Sequence, residues 1–139
     1  MRRCLLFISL MILLCQEAAG QQYNLLMQVR GHDITSICVM DTQPDGSIMG
    51  TVVSEFGVKA FDFTYANGKS KVLNVISFLD KWYIRKVLRK DLAFILSNLP
   101  EGQDNAKKSR KITFSPEGHI DVVNDKYKIH YTFTPMKSE

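Results

Sequence analysis

The chain contains few of the residues that covalent or redox chemistry would need. Its 139 residues include three cysteines, and two of them, Cys4 and Cys15, lie within the first twenty positions. If that segment is removed, Cys38 is the one cysteine left, and no internal disulfide can stabilise the remaining chain. The apolar neighbours of Cys38 predict a buried, unreactive thiol. A packed core must therefore supply the stability of the fold.

Motifs for catalysis or metal binding are missing as well. His32 and Asp33 are neighbours, and neighbours on a strand point to opposite faces. His119 and Asp121 share a face, but one such pair is usual on a polar surface, as is His130 among lysines. The sequence offers no Ser, His and Asp arrangement and no cluster with metal-ligand spacing. We therefore expect no enzymatic activity, no catalytic residues, no metal and no cofactor.

Long hydrophobic runs are scarce too. The apolar run at residues 5–14 is too short to span a bilayer as a stable helix. Two arginines, Arg2 and Arg3, precede it, and the small residues 18–20 follow it. A basic start, a short apolar run and a small-residue cleavage site together are typical of a secretory signal peptide. We therefore expect residues 1–20 to direct export.

Cleavage after Gly20 would release residues 21–139 as a single domain of ordinary size. The exported domain would then be periplasmic or associated with the outer membrane. Cys15 leaves an alternative open, since a cysteine directly after an apolar run can accept a lipid anchor that holds the domain at a membrane. The formal charge of the whole chain, +4 at pH 7, is too small to indicate nucleic-acid binding.

Apolar and polar residues alternate through most of the remaining chain, which predicts strands. Five such segments precede the stretch 77–98 and three follow it, and the turn signals include Pro44-Asp45-Gly46 and Asn67-Gly68. The stretch 77–98 itself has no proline or glycine and carries apolar residues at helical spacing. Short connections make neighbouring strands antiparallel. The sequence therefore predicts an α+β, mainly β, fold: a curved antiparallel sheet or unclosed half-barrel of about eight strands, with one main helix packed on it.

A basic stripe runs along one side of the predicted helix, opposite its apolar residues. Such a stripe is usual on a solvated helix face, but it also suits docking on anionic headgroups or on an acidic partner. Trp82 and Tyr83, at the start of the helix, would suit an interface and would equally cap the open end of the sheet. The stripe consists of Lys81, Arg85, Lys86, Arg89 and Lys90.

Phe56 is a second candidate contact residue. It lies between Glu55 and Gly57 in a connection between two predicted strands, where a purely structural turn would favour polar residues. Its ring either folds back into the core or protrudes as an apolar contact for a membrane or a partner. The sequence leaves both alternatives open.

Residues 55–65 (EFGVKAFDFTY), followed by Asn67-Gly68, resemble the LolA/LolB-like superfamily of outer-membrane lipoprotein carriers and receptors. The resemblance implies an unclosed antiparallel half-barrel with a helical lid over an apolar cavity. It also implies that the protein shuttles or receives acylated cargo in the Gram-negative envelope. Phe56 matches the apolar residue before a glycine that, in receptor-type members, protrudes and helps to deliver lipid to the membrane.

We therefore expect a non-enzymatic cell-envelope protein that binds or carries an acyl chain, another lipophilic ligand or a lipoprotein in an apolar groove between sheet and helix. A lipid or an acylated protein would be its partner, and a membrane surface a further contact. The alternative is an envelope protein–protein interaction module with a fully packed core, which binds through the basic stripe or an exposed strand edge. The candidate lining residues are Phe61, Phe63, Tyr65, Tyr127, Ile129, Tyr131 and Phe133, with Leu25, Met27 and Met49 as flexible fillers.

Overall fold

A computed structural model of the protein describes residues 20–136. The predicted signal peptide, apart from Gly20, lies outside the described residues, and so does Cys15, the alternative site of a lipid anchor. The predicted domain at 21–139 falls within the described residues up to position 136.

The described residues form one antiparallel sheet of nine strands and one α-helix. The order of the strands across the sheet is β5-β4-β3-β2-β1-β9-β8-β7-β6. The helix, α1, covers Trp82–Asn98. The strands are β1 (Gln21–Val29), β2 (His32–Thr42), β3 (Ile48–Ser54), β4 (Lys59–Ala66), β5 (Lys69–Leu73), β6 (Asn105–Lys107), β7 (Arg110–Phe114), β8 (Ile120–Asn124) and β9 (Ile129–Pro135).

The chain builds the sheet in two halves that meet in the middle. The meander β1 to β5 forms one half, and β6 to β9, which follow α1, form the other. The halves join where β9 pairs with β1, with Phe133 opposite Leu25. Ser70 on β5 and Arg110 on β7 both hydrogen-bond to α1, at Arg89 and Asp91, within one turn of the helix. The sheet therefore curls around the helix as an unclosed half-barrel, which confirms the predicted fold class.

The core lies between the concave face of the sheet and the inner face of α1. Alternate residues of the strands point inward, and Phe61, Phe63 and Ile95 are each at most 2% exposed. The cavity left between these side chains has a volume of only about 10 Å³. That is no more than roughly one water molecule needs. The core is therefore packed.

A glycine in the middle of β3 makes one close contact in this core possible. Gly50 lies opposite Phe63 in the sheet. A Cβ atom at position 50 would lie 2.2 Å from Cζ of Phe63. The Phe63 ring therefore lies directly against the backbone of β3, and no larger residue fits at position 50 without displacing it.

Parts of the helix and of the strands after it differ from the prediction. The helix begins at Trp82 and not at 77, because the backbone N–H groups of Leu79 and Asp80 donate to Ile76 and Ser77 in tight turns. A short strand, β6, comes before the three strands that were predicted to follow the helix, and the sheet has nine strands instead of about eight. This segment pairs with β7 through backbone hydrogen bonds, for which its side chains give no alternating signal.

β9 begins at Ile129, so the predicted lining residue Tyr127 precedes the strand. The Asn124 Oδ1 atom accepts hydrogen bonds from the backbone N–H groups of Lys126 and Tyr127, at 3.2 and 3.3 Å. An asparagine that bonds the backbone two residues ahead holds a turn in place. Tyr127 therefore lies in the β8–β9 turn, 36% exposed, and does not face inward with Tyr131.

Candidate functional site

A groove lies between β5 and the first half of α1. Its volume is about 470 Å³, which lies within the usual range of ligand sites. We call it the basic groove. Its lining residues are Lys71, Val72 and Leu73 from β5, and Trp82, Arg85, Lys86 and Arg89 from α1.

The residues from β5 show that the groove follows the edge of the sheet. Successive side chains on a strand point to opposite faces, yet three successive residues, Lys71, Val72 and Leu73, all line the groove. The groove therefore runs along the backbone edge of β5 and not along one face of the strand. The residues from α1 are spaced by three, four and seven positions from Trp82, which places them on one stripe of the helix.

The groove carries an excess of positive charge. The Arg85 Nε atom lies 3.2 Å from Oδ1 of Asp80, and both side chains are about half exposed. Within residues 20–136, no ion pair involves Lys71, Lys86 or Arg89. The first turn of α1 contains no acidic residue, so the positive end of the helix dipole adds to the charge of these side chains.

Exposed aromatic rings lie at the start of α1 and in the turn before it. Trp82 is 71% exposed and Phe78, in the preceding turn, is 63% exposed. The Trp82 and Tyr83 rings meet edge to face, with their centroids 5.8 Å apart. Tryptophan and tyrosine are enriched at protein interfaces, because they bury a large apolar area and keep one polar atom for a hydrogen bond.

A buried polar cluster fixes α1 against the second half of the sheet. We call it the Asp91 network, and it comprises Asp91, Arg110, Asn124 and Tyr131. The Asp91 carboxylate is 1% exposed and accepts hydrogen bonds from Arg110 Nε at 2.7 Å, Asn124 Nδ2 at 2.8 Å and the Tyr131 hydroxyl at 2.5 Å. Burial, together with the Asp91 charge, raises the pKa of Tyr131 well above its usual value. With every Asp91 partner supplied by the protein, this network positions the helix and leaves no open contact for a ligand.

A second cluster holds the connection that leads into α1. The Asp62 carboxylate on β4 accepts hydrogen bonds from Thr51 Oγ1 at 2.7 Å and Asn74 Nδ2 at 2.7 Å, and forms an ion pair with Lys59 at 3.2 Å. Partial burial acts to raise the pKa of Asp62, but the hydrogen bonds from Asn74, Thr51 and Lys59 outweigh it, so that the pKa is lowered. At the other end of the groove, the Ser70 hydroxyl donates to the backbone carbonyl of Arg89. Both walls of the basic groove are therefore held in place.

The structure places the predicted lining residues mostly in the core and the predicted contact residues on the surface. Most of the predicted lining residues are core residues: Leu25, Met27, Phe61, Phe63, Tyr131 and Phe133 are buried, and Tyr65 and Ile129 pack against them while partly exposed. Met49, at 53% exposure, points away from the core.

The predicted contact residues fall in three places. Arg85, Lys86 and Arg89 line the basic groove, whereas Lys81 occupies the cap position before α1 and Lys90 is exposed outside the groove. Phe56 is 84% exposed at the tip of the β3–β4 turn, so its ring protrudes and does not fold back into the core.

The candidate acid–base residues form a different pair from the one their spacing suggested. Asp121 contacts His130 on the neighbouring strand, with Oδ1 and Nε2 3.1 Å apart, and both side chains are more than 40% exposed. In the described part of the chain, no group of three or more His, Cys, Asp or Glu side chains is placed to hold a metal ion. Cys38 is buried, and burial raises the pKa of its thiol to about 12.

Sequence patterns alone did not indicate Lys71, Val72 and Leu73 as site residues. Their role follows from the place of β5 at the end of the sheet, which depends on the pairing of β9 with β1. One sequence feature could have indicated that β5 is an edge strand. Lys69 and Lys71 lie on this short strand after Asn67-Gly68, and lysines are common on free sheet edges.

No family model, no curated protein and no solved structure matches the chain. Across residues 20–136, the one helix is not long and apolar enough to cross a membrane.

Proposed function

We propose that the protein is a non-enzymatic interaction module of the cell envelope, which binds an anionic protein partner through the basic groove. The observation that carries this proposal is the set of groove cations without an ion-pair partner in the described chain, next to the exposed ring of Trp82. Opposite charge across an interface steers association and selects partners. The export signal predicted at residues 1–20 supports the envelope location.

The packed core favours this function over lipid transport. A carrier of acyl chains needs a cavity of roughly 300–1,000 Å³, whereas the space between sheet and helix amounts to about 10 Å³. The LolA/LolB-like resemblance and the lipid-carrier function remain predictions, and they require an opening of the core that the described packing does not contain. An interaction module needs no such opening.

The fluorescence of Trp82 provides a direct test, because it is the one tryptophan of the chain and lines the groove. Poly-glutamate is titrated at low salt into the purified protein, and the Trp82 emission is followed. We expect a saturable shift to shorter wavelength, because a bound polymer removes water from the ring. The double variant Lys86→Glu/Arg89→Glu is expected to lose the response.

The matched control is Lys107→Glu/Lys111→Glu, which changes the net charge equally at exposed positions outside the groove. This control should bind as the unchanged protein does. Equal loss in both variants would mean that net charge alone attracts the polymer, and the proposal would be abandoned. A lack of any response in the unchanged protein would have the same consequence.

A further inference from the structure

We infer that the basic groove accepts an extended acidic peptide, which adds to the free edge of β5 as a tenth strand of the sheet. This inference rests on the proposed function and names the form and chemistry of the partner segment. In β-strand addition, backbone hydrogen bonds supply affinity, and alternate side chains supply specificity.

The edge of β5 is available for pairing within the described chain. β5 pairs with β4 on one side and has no strand on the other. Among residues 20–136, no further backbone–backbone hydrogen bond involves Lys69–Leu73. In an edge strand of an antiparallel sheet, every second residue directs its N–H and C=O groups away from the neighbouring strand. These groups are ready donors and acceptors for an added strand.

The dimensions of the groove suit a strand between β5 and α1. From Trp82 to Arg89 the helix rises by about 10 Å. Alternate side chains of a strand are about 6.7 Å apart, so two or three of them would face this stripe. Acidic side chains at alternate positions would then lie opposite Arg85, Lys86 and Arg89, and an apolar side chain at the end of the strand would reach Trp82.

The charges of β5 disfavour a second copy of this chain as the added strand. Lys69 and Lys71 are both exposed, and pairing of two β5 edges would bring these lysines together. Like charges facing each other across strands are destabilising. The other edge strand, β6, has only three residues and offers a shorter template.

The test uses an eight-residue peptide that alternates Val and Glu, and two derivatives that differ in N-methylation. One derivative is methylated on the backbone nitrogens of all Val residues, and the other on those of all Glu residues. Alternate residues of a strand direct their N–H groups to opposite edges, so only one set can bond to β5. We expect one derivative to bind within about threefold of the parent peptide and the other at least tenfold more weakly, as measured by the Trp82 emission.

Hydrogen exchange of the β5 backbone supplies the second readout. Bound parent peptide should slow exchange at alternate residues of Lys69–Leu73 and leave the amides of β6 unchanged. Equal binding of both derivatives, or equal loss in both, would overturn strand addition. Slow exchange of the outward amides in the free protein would also overturn it, because another segment of the chain would then already cover the edge.

These outcomes are distinguishable from a failure of the proposed function. If both derivatives bind equally and Lys86→Glu/Arg89→Glu abolishes binding, the groove is an anion-binding interface without strand addition. If neither the peptides nor poly-glutamate bind, the proposed function fails as well. Vesicles containing phosphatidylglycerol serve as the remaining probe, and a Trp82 response to these vesicles without a response to the peptide would replace the peptide with a membrane surface.

Discussion

Basic side chains lie on both sides of α1, but their burial and their ion pairing differ. On the inner side, Arg110 is 18% exposed and donates to a carboxylate within the Asp91 network. On the outer side, Lys86 and Arg89 line an open groove, and neither has an ion-pair partner among residues 20–136. A charge within the fold must be paired, because an unpaired buried charge is costly. A cluster of unpaired charges on the surface is not required for folding, and its charge is available to a partner.

Removal of the inner carboxylate should have the largest effect on stability. Asp91→Ala leaves Asn124 and Tyr131 without their acceptor and Arg110 without its counter-ion, so we expect a loss of about 3–5 kcal/mol in the free energy of unfolding. Urea unfolding followed by circular dichroism measures it. The neighbouring exposed change Lys90→Ala should alter stability by less than about 0.5 kcal/mol. Similar values for the two variants would contradict the role of the network.

Changes in the core should act through packing and not through ligand uptake. In Gly50→Ala the new Cβ atom meets the Phe63 ring, whose Cζ atom would be 2.2 Å away, and overpacking of this kind costs about 1–3 kcal/mol. The double variant Gly50→Ala/Phe63→Leu should lose less stability than the two single variants do together, because the smaller side chain removes the contact. Thermal unfolding of the set measures the coupling, and strictly additive losses would show that the two residues do not conflict.

The buried thiol of the inner side should make stability depend on alkaline pH. Burial raises the pKa of Cys38 from 9.0 to about 12, so above pH 9 the unfolded chain loses the thiol proton while the folded chain keeps it. Stability is then fully present below pH 9 and falls as the pH rises, by about 1.4 kcal/mol between pH 8 and pH 10.

The variant Cys38→Val isolates this contribution, since it keeps an apolar side chain of similar size. Urea unfolding of both proteins at pH 8 and pH 10 gives the comparison. The unchanged protein should lose more stability than the variant over this interval. Parallel behaviour of the two proteins would mean that the thiol ionises in the folded state.

A variant of Phe56 should show that the β3–β4 turn and the basic groove, which both carry exposed aromatic rings, are separate surfaces. Because its ring is 84% exposed, Phe56→Ser should change the free energy of unfolding by less than about 0.5 kcal/mol. The ring is not part of the basic groove, so the binding of acidic peptides, followed by Trp82 emission, should stay the same. A weaker peptide response in this variant would extend the site to the β3–β4 turn.

Local patterns in the sequence predicted the architecture well. Strict alternation in β4 and in the second half of β9 gave the inward residues Phe61, Phe63, Tyr131 and Phe133, and all four are buried. The apolar stripe of α1 was equally clear. Alternation depends only on the period of the strand, so it is legible without knowledge of the sheet order.

Long-range pairing and packing could not be predicted in the same way. Asp91 occupies an inward position of α1, but its partners Arg110, Asn124 and Tyr131 lie 19 to 40 residues away along the chain. The aromatic stripes suited a lipid cavity and a packed core equally well, because the difference depends on how the side chains interdigitate. The groove itself required the position of β5 at the end of the sheet.

Native mass spectrometry of the unchanged protein, mixed with equal amounts of the alternating Val-Glu peptide and palmitic acid, tests most directly whether the protein acts through its outer groove. We predict a complex with one peptide per chain and no retained fatty acid, because the groove is open and the core is packed. A fatty-acid complex that also forms with the Lys86→Glu/Arg89→Glu variant, without any peptide complex, would contradict the account. The core would then open to a ligand, and the lipid-carrier function would replace the interaction module.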